Sequence, residues 1–178
     1  MPTVYRLFLT VAVIALLSAA QPLHAQKKFA DAVEMNNYLI TPNDSLYQKG
    51  QALGRAVGAG YATKDFTPVV PAKKAIIKYA TETLAELKKV QDQFGSEEFR
   101  KGIIDFLTYE INIMKNRTPL LDKLNDKSTE KEIRSAIDEM IAESKDEAKF
   151  LQKVSEMQAR FAEKNGFRVE SPAQAVQE

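Results

Sequence analysis

The chain has 178 residues, of which 25 are basic and 24 acidic, and it contains no cysteine, no tryptophan and a single histidine, His24. Nearly balanced charge gives no electrostatic attraction to nucleic acid. Without cysteine, and with no histidine after His24, the chain lacks the side chains of ordinary zinc, haem and di-iron sites and of Ser-His-Asp or Cys-His catalysis. We therefore expect a non-enzymatic protein with no catalytic residue, cofactor, metal or nucleic-acid partner.

Residues 1–25 have the order of a secretory signal peptide. A short basic segment ending at Arg6 precedes the apolar run LFLTVAVIALLSAA, and Ala25 supplies a small residue for cleavage. The run is short for a membrane span, so an uncleaved anchor is the weaker alternative; cleavage after Ala20 is another. Cleavage after Ala25 leaves equal numbers of basic and acidic side chains and no further apolar run long enough to span a membrane. The mature chain is predicted to be exported, and to be periplasmic, outer-surface or secreted.

Apolar residues spaced three to four apart predict long helices after this leader. The first helix spans about residues 28–61 and contains the Thr41-Pro42 pair, at which it either kinks or restarts. A connector over residues 63–71 leads to a second helix over about 71–94, which Gly95 ends. The apolar face of this second helix consists of Ile76, Ile77, Ala80, Leu84, Leu87, Val90 and Phe94.

Two further helices complete the predicted fold. The third spans about residues 97–125 and is interrupted at Thr118-Pro119, where again it either kinks or breaks. The fourth begins with a capping box at Thr129 and Glu132 and closes at Asn165-Gly166. Short connections favour an all-α, up-down-up-down antiparallel four-helix bundle preceded by a signal peptide. The bundle domain is predicted over residues 26–168, followed by a flexible tail over 169–178.

Four of the seven glycines fall in the stretch QKGQALGRAVGAGYA, residues 48–62. A phosphate-binding loop would need a preceding strand and a lysine after the last glycine, and the dinucleotide fingerprint would need a third glycine at the right offset. A membrane dimer face would need an apolar surround, whereas Lys49 and Arg55 interrupt this one. On a helical wheel, Gly50, Gly54 and Gly58 fall on the buried face. They are predicted to be helix-packing residues that allow a neighbouring helix to approach.

Polar residues on apolar faces predict a buried polar cluster formed by Asn36, Glu110 and Arg117. In one interpretation, Glu110 is an acid with a perturbed pKa inside a small polar pocket. In the other, which we favour, Glu110 pairs with Arg117 or a neighbouring lysine, or reaches solvent near a helix end.

A charged run on the fourth helix, ESKDEAKFLQK, contains Glu143, Asp146 and Glu147. It lacks the alternating acidic spacing of a calcium loop. We therefore interpret the run as a solvated helix face.

Two segments carry a family resemblance. KKFADAVEMNNYLI at the start of the mature chain and FAEKNGFRVE at the end of the last helix resemble the corresponding ends of a family of small exported bacterial surface proteins, the spirochaete-type surface proteins, which have many relatives in other Gram-negative bacteria. The resemblance covers essentially the whole mature chain. It implies an exported helical bundle and assigns a functional role to no residue.

The function predicted first is that of a structural or protein-interaction module of the cell envelope, with an envelope protein of unknown identity as its partner. The alternative is a carrier that binds an apolar or lipid-like molecule between its helices. A carrier should contain an enclosed apolar cavity on the order of a few hundred Å³ or more. A tightly packed bundle would argue against it.

Overall fold

Four α-helices account for most of residues 27–169, the part of the chain that the computed structural model describes. There is no β-strand in this part, which confirms the all-helical prediction. The predicted signal peptide lies outside the described residues, as does the predicted tail from residue 170 onwards. The helices are α1 (Ala32–Thr63), α2 (Val69–Leu87), α3 (Glu97–Asn112) and α4 (Glu130–Lys164).

The four helices surround one apolar core. α1 packs against α2, α2 against α3, α3 against α4, and α4 also against α1. Each large apolar side chain removed from water contributes about 1.5–3 kcal/mol to folding before the entropy cost is counted. The fully buried large side chains of the core include Met35, Leu39, Ile76, Leu87, Phe99, Ile103, Phe106, Leu107, Leu121 and Ile133.

α1 runs through Pro42 without restarting. Asp31 caps its N-terminus by accepting a hydrogen bond of 2.8 Å from the Glu34 N–H. The Pro42 ring is buried, so the packing of α1 on the core helps to offset the hydrogen bond that proline cannot donate. The predicted interruption at this position is therefore not a helix boundary.

α2 ends at Leu87, so the predicted extension to Phe94 is wrong. Val90 lies in the irregular segment that follows α2. It is nevertheless buried, and it falls at the spacing of the apolar helix face. The guanidinium of Arg100 holds this segment by donating to the Leu87 carbonyl at 3.3 Å and to the Asp92 carboxylate at 2.7 and 2.9 Å. Gly95 then turns the chain with a φ of +76°, a conformation that glycine adopts without strain.

α3 ends at Asn112, and the predicted continuation to residue 125 is also wrong. A π-helical turn, Ile113–Arg117, follows directly, and a short 3₁₀ turn, Leu121–Lys123, comes after it. Proline disfavours helical dihedrals in the residue before it, so Pro119 stops the helix at Thr118. The buried Lys73 of α2 ties the broken segment to the core, since its Nζ donates to the Thr118 carbonyl at 2.9 Å and to Asp122 Oδ2 at 2.7 Å.

α4 has the two ends that its sequence predicts. The Thr129 hydroxyl accepts from the Glu132 N–H at 3.3 Å, and the Thr129 N–H donates to the Glu132 carboxylate at 2.8 Å. Gly166 follows the helix with a φ of +73°. Between Ala136 and Val154, however, α4 has no buried residue. This middle stretch of α4 leaves a gap over the core.

Candidate functional site

The gap beneath the middle of α4 is a cleft of about 370 Å³, here called the α1–α4 cleft. Residues of α1 and α4 form its sides, and α2, α3 and the π-helical turn contribute to its floor. The cleft is partly open to solvent. Its apolar lining consists of Leu46, Leu53, Ile76, Ile113, Met114 and Met140.

The glycines of α1 do not pack against a neighbouring helix, so the close-packing prediction is wrong. Gly50, Gly54 and Gly58 are exposed, and a Cβ added to any of them would meet no atom within 4 Å outside its immediate surroundings. The physical reason is that the buried stripe of α1 follows Leu53 and Val57 and leaves the three glycines on the other side. Gly50 instead lies in the lining of the α1–α4 cleft, where the missing side chain keeps the cleft open.

Two other glycines allow close approach. A Cβ on the buried Gly60 would collide with the ring of Phe66, and one on Gly102 would collide with the sulfur of Met157. The apolar stripes contain a signal for both positions. Gly60 follows Val57 at the spacing of the buried face of α1, and Gly102 falls just before Ile103 on the buried face of α3.

Glu110 of α3 reaches the α1–α4 cleft from inside the core. Its relative exposure is 6 %, and Oε1 is buried without a hydrogen-bond partner. Burial, followed by the negative charge of Glu147, raises the pKa of Glu110 from the ordinary value of 4.5 to about 8. The prediction that Glu110 pairs with Arg117 or a lysine, or else reaches solvent, is therefore wrong; its environment is that of a perturbed acid.

Arg117 pairs with α4 instead. Its Nη2 lies 2.9 Å from Glu143 Oε1, whereas Glu143 Oε2 is buried without a partner. Glu143 and Glu147 both line the α1–α4 cleft, and burial raises the pKa of Glu147. The interpretation of the charged run as a solvated face is thus wrong for these two glutamates, although it fits Asp146, which pairs with Lys149 at 2.8 Å on the outside of α4.

The helical register of α4 explains why the two glutamates face inwards. Ala136 and Val154 are buried, and Met140, Glu143 and Glu147 continue the same stripe at alternating spacings of four and three residues. The carboxylates therefore occupy positions at which an apolar residue would complete the core. This spacing was the sequence signal that would have identified them.

Asn36 does not join Glu110 and Arg117, so the predicted cluster of three is wrong. Its Oδ1 accepts a hydrogen bond of 2.9 Å from Gln158 Nε2, a contact between α1 and the C-terminal part of α4. Gln158 lies about 22 Å along the helix from Glu143, at 1.5 Å per residue. Asn36 is thus a satisfied polar residue of the packed bundle, remote from the α1–α4 cleft.

A larger open groove of about 860 Å³ lies at the N-terminal end of α4 and is bordered by Lys123, Lys127 and Lys131. The Thr129–Glu132 capping box already uses polar groups at this helix end. Acidic side chains in the first turn also offset the positive end of the helix dipole. The groove is therefore a weaker candidate for an anion-binding site than its three lysines alone would indicate.

Within residues 27–169, no group of three or more acidic or histidine side chains is arranged to hold a metal ion. In the same part of the chain, no helix combines the length and the apolar character that a membrane span requires. Comparisons with protein-family models, with curated proteins and with solved structures found no match to this chain.

Proposed function

We propose that the protein is a non-enzymatic binding protein that takes up a small, mainly apolar molecule in the α1–α4 cleft. The observation that carries this proposal is an open apolar cleft of about 370 Å³ with a buried carboxylate, Glu110, that has no partner. Small-molecule sites are typically concave, mostly apolar and about 300–1,000 Å³ in volume, with a few polar groups that orient the ligand. The α1–α4 cleft has these properties.

The surroundings of Glu110 support binding over catalysis. The hydroxyl of Ser144, which also lines the cleft, donates to the Ile141 carbonyl at 2.8 Å, and Glu143 is held by Arg117. Covalent catalysis needs a nucleophile within hydrogen-bond reach of an activating base. Among the described residues, no hydrogen bond joins a nucleophile to a base in the cleft lining.

The proposal includes export and an up-down-up-down arrangement of antiparallel helices. The order of basic, apolar and small residues before Gln26 supports export to the envelope or beyond. The contact of Asn36 with Gln158 and the ion pair of Glu98 with Arg160 each join the start of one helix to the end of another, which supports the antiparallel order. The resemblance to spirochaete-type surface proteins and the envelope-protein partner stay predictions.

A neutral fluorescent probe, N-phenyl-1-naphthylamine, tests the binding function. We expect its emission to rise on titration with the protein and to saturate. Gly50→Phe places a ring in the lining of the cleft and should weaken binding about tenfold or more, since an occupied site excludes the probe. Gly54→Phe is the matched control, because Gly54 is an equally exposed residue of α1 outside the cleft lining.

Two results would overturn the proposed function. The first is the absence of saturable probe binding. The second is equal binding by wild type, Gly50→Phe and Gly54→Phe, which would place the probe elsewhere on the protein.

A further inference from the structure

We infer that the ligand of the α1–α4 cleft is an aliphatic amine, whose ammonium group is held by the carboxylate of Glu110 while its hydrocarbon part lies against the apolar lining. This inference rests on the proposed binding function and specifies the class of ligand. Its basis is the match between the unpaired acceptors in the cleft and the three N–H donors of an ammonium group.

Two carboxyl groups with an unpaired oxygen line the cleft, one from each of two helices. Glu110 Oε1 comes from α3 and Glu143 Oε2 from α4, and both atoms are buried without a hydrogen-bond partner. A buried acceptor that lacks a partner costs about 1–3 kcal/mol, and more if it is charged. A hydrogen-bond donor that reaches these oxygens, after a small rotation of the carboxyl groups towards the cleft, would remove that cost, whereas an acceptor-only ligand would not.

The charges around the cleft also favour a cation. α4 contributes Glu143 and Glu147, and α3 contributes Glu110, while the lining residues from α1 and α2 carry no charge. The guanidinium of Arg117, on the π-helical turn, is already paired with Glu143. The lining thus offers carboxyl groups and no basic side chain, so a bound ammonium would meet no repelling cation there and would favour the ionised form of Glu110.

Lys49 and Asp146, the charged groups near this region, have partners elsewhere, whereas the Tyr109 hydroxyl is buried without a hydrogen-bond partner. Lys49 of α1 lies with its Nζ 5.1 Å from the ring centroid of Tyr79 on α2. Asp146 pairs with Lys149 on the outside of α4, and the Tyr109 ring of α3 stacks on Phe150 with centroids 4.3 Å apart. The ammonium of a ligand would thus meet Glu110 without a competing lysine in the lining.

The protonation of Glu110 adds a measurable consequence. Burial keeps its pKa at about 8, so the empty site is mostly protonated at neutral pH. An ammonium placed against the carboxyl group favours the ionised form, and the proton leaves to the solvent. Binding of a protonated amine near pH 7 should therefore release about one proton per site.

Three ligands with eight carbon atoms each separate this inference from the binding function itself. Octylamine, 1-octanol and octanoate are each titrated near pH 7 against the protein loaded with N-phenyl-1-naphthylamine. We expect octylamine to displace the probe at about tenfold lower concentration than octanol, since a charge-assisted hydrogen bond is the difference between them. Octanoate should be the weakest of the three.

The variant Glu110→Gln should abolish the preference for the amine over the alcohol, since the amide keeps the shape of the side chain and loses its charge. Glu163→Gln is the matched control. It removes the same charge from an exposed position of α4, about 24 Å along the helix from Glu147, and should keep the preference. Calorimetry of the wild type in two buffers of different ionisation enthalpy measures the released proton without any substitution.

The outcomes are distinct. Equal affinity for amine and alcohol, a preference for octanoate, or amine binding without proton release would each overturn the amine inference while the binding function stands. A protein that binds neither the probe nor any of the three alkyl compounds would overturn both.

Discussion

The buried carboxyl group of Glu110 links the stability of the bundle to pH. In the unfolded chain this group ionises near its ordinary pKa of 4.5, whereas in the native protein it ionises near 8. Between these two values the native state holds a proton that the unfolded state has released. The free energy of unfolding therefore falls as the pH rises through this window, and it levels off above the native pKa.

The size of the effect follows from the width of the window. One group contributes about 1.4 kcal/mol for each pH unit, so a window of about 3.5 units corresponds to a loss of about 5 kcal/mol when complete. Such a loss is comparable to the whole stability of many domains of this size, which is about 5–15 kcal/mol. The chain's one histidine lies at position 24, outside the described domain, so the same pH range contains no histidine titration from residues 27–169.

Glu110→Gln tests this linkage because glutamine resembles the protonated acid and does not ionise. Urea unfolding followed by far-UV circular dichroism should give wild type and variant similar stabilities, within about 1 kcal/mol, near pH 5. Near pH 8.5 the variant should be the more stable by about 4 kcal/mol. Glu163→Gln should show no such change between the two pH values. The same difference between wild type and Glu110→Gln at both pH values would refute the argument, since it would mean that water in the cleft solvates the carboxylate.

Substitutions at three further positions test the packing. Gly54→Ala should raise the free energy of unfolding by about 0.5–1 kcal/mol, because alanine is the better helix former and its Cβ meets no atom. Gly60→Ala should lower it by about 1–3 kcal/mol, because the new methyl group must displace the buried ring of Phe66; urea unfolding measures both, and an equal effect of the two would contradict the assigned packing. Lys73→Met should cost about 1–3 kcal/mol, since the Thr118 carbonyl loses its donor in a buried place. The exposed Lys74→Met serves as its control, and thermal unfolding that does not distinguish the two would show that Lys73 is not an anchor.

The helical class was predictable because apolar residues recur at the helical period over most of the described chain. The ends of α2 and α3 were not, because the period continues beyond them in residues that are buried without being helical. The side chains of Val90 and Leu121 lie in the core although their backbone is irregular or 3₁₀-helical. A hydrophobicity pattern indicates which residues are buried, but it does not indicate their backbone dihedral angles. Contacts with other segments, from Arg100 to the Leu87 carbonyl and from Lys73 to the Thr118 carbonyl, hold the chain after these helices, and a hydrophobicity pattern does not record them.

Part of the candidate site was also visible in the sequence. Glu110 stood out because it interrupts an apolar stripe, and its burial follows from that position. The helical wheel placed Gly50 on the wrong face, since the buried stripe of α1 follows Leu53 and Val57 and its neighbour Tyr47 is 68 % exposed. Glu143 and Glu147 were missed because a charged run in a helix is usually solvated. In addition, Arg117, whose ion pair stabilises the inward position of Glu143, comes from another segment of the chain.

α4 is supported by fully buried residues near its two ends, whereas its middle is only partly buried. Its buried residues lie at Ile133 and Ala136 near one end and from Val154 onwards near the other, with a span of about 27 Å between the inner two at 1.5 Å per residue. Its middle packs on the core through partly buried side chains, among them Met140 and Phe150, so it should yield to displacement more easily than the fully buried ends. A molecule seated beneath that centre would act as a third support. Binding of a ligand would then make α4 stiffer along its length without changing the fold at either end.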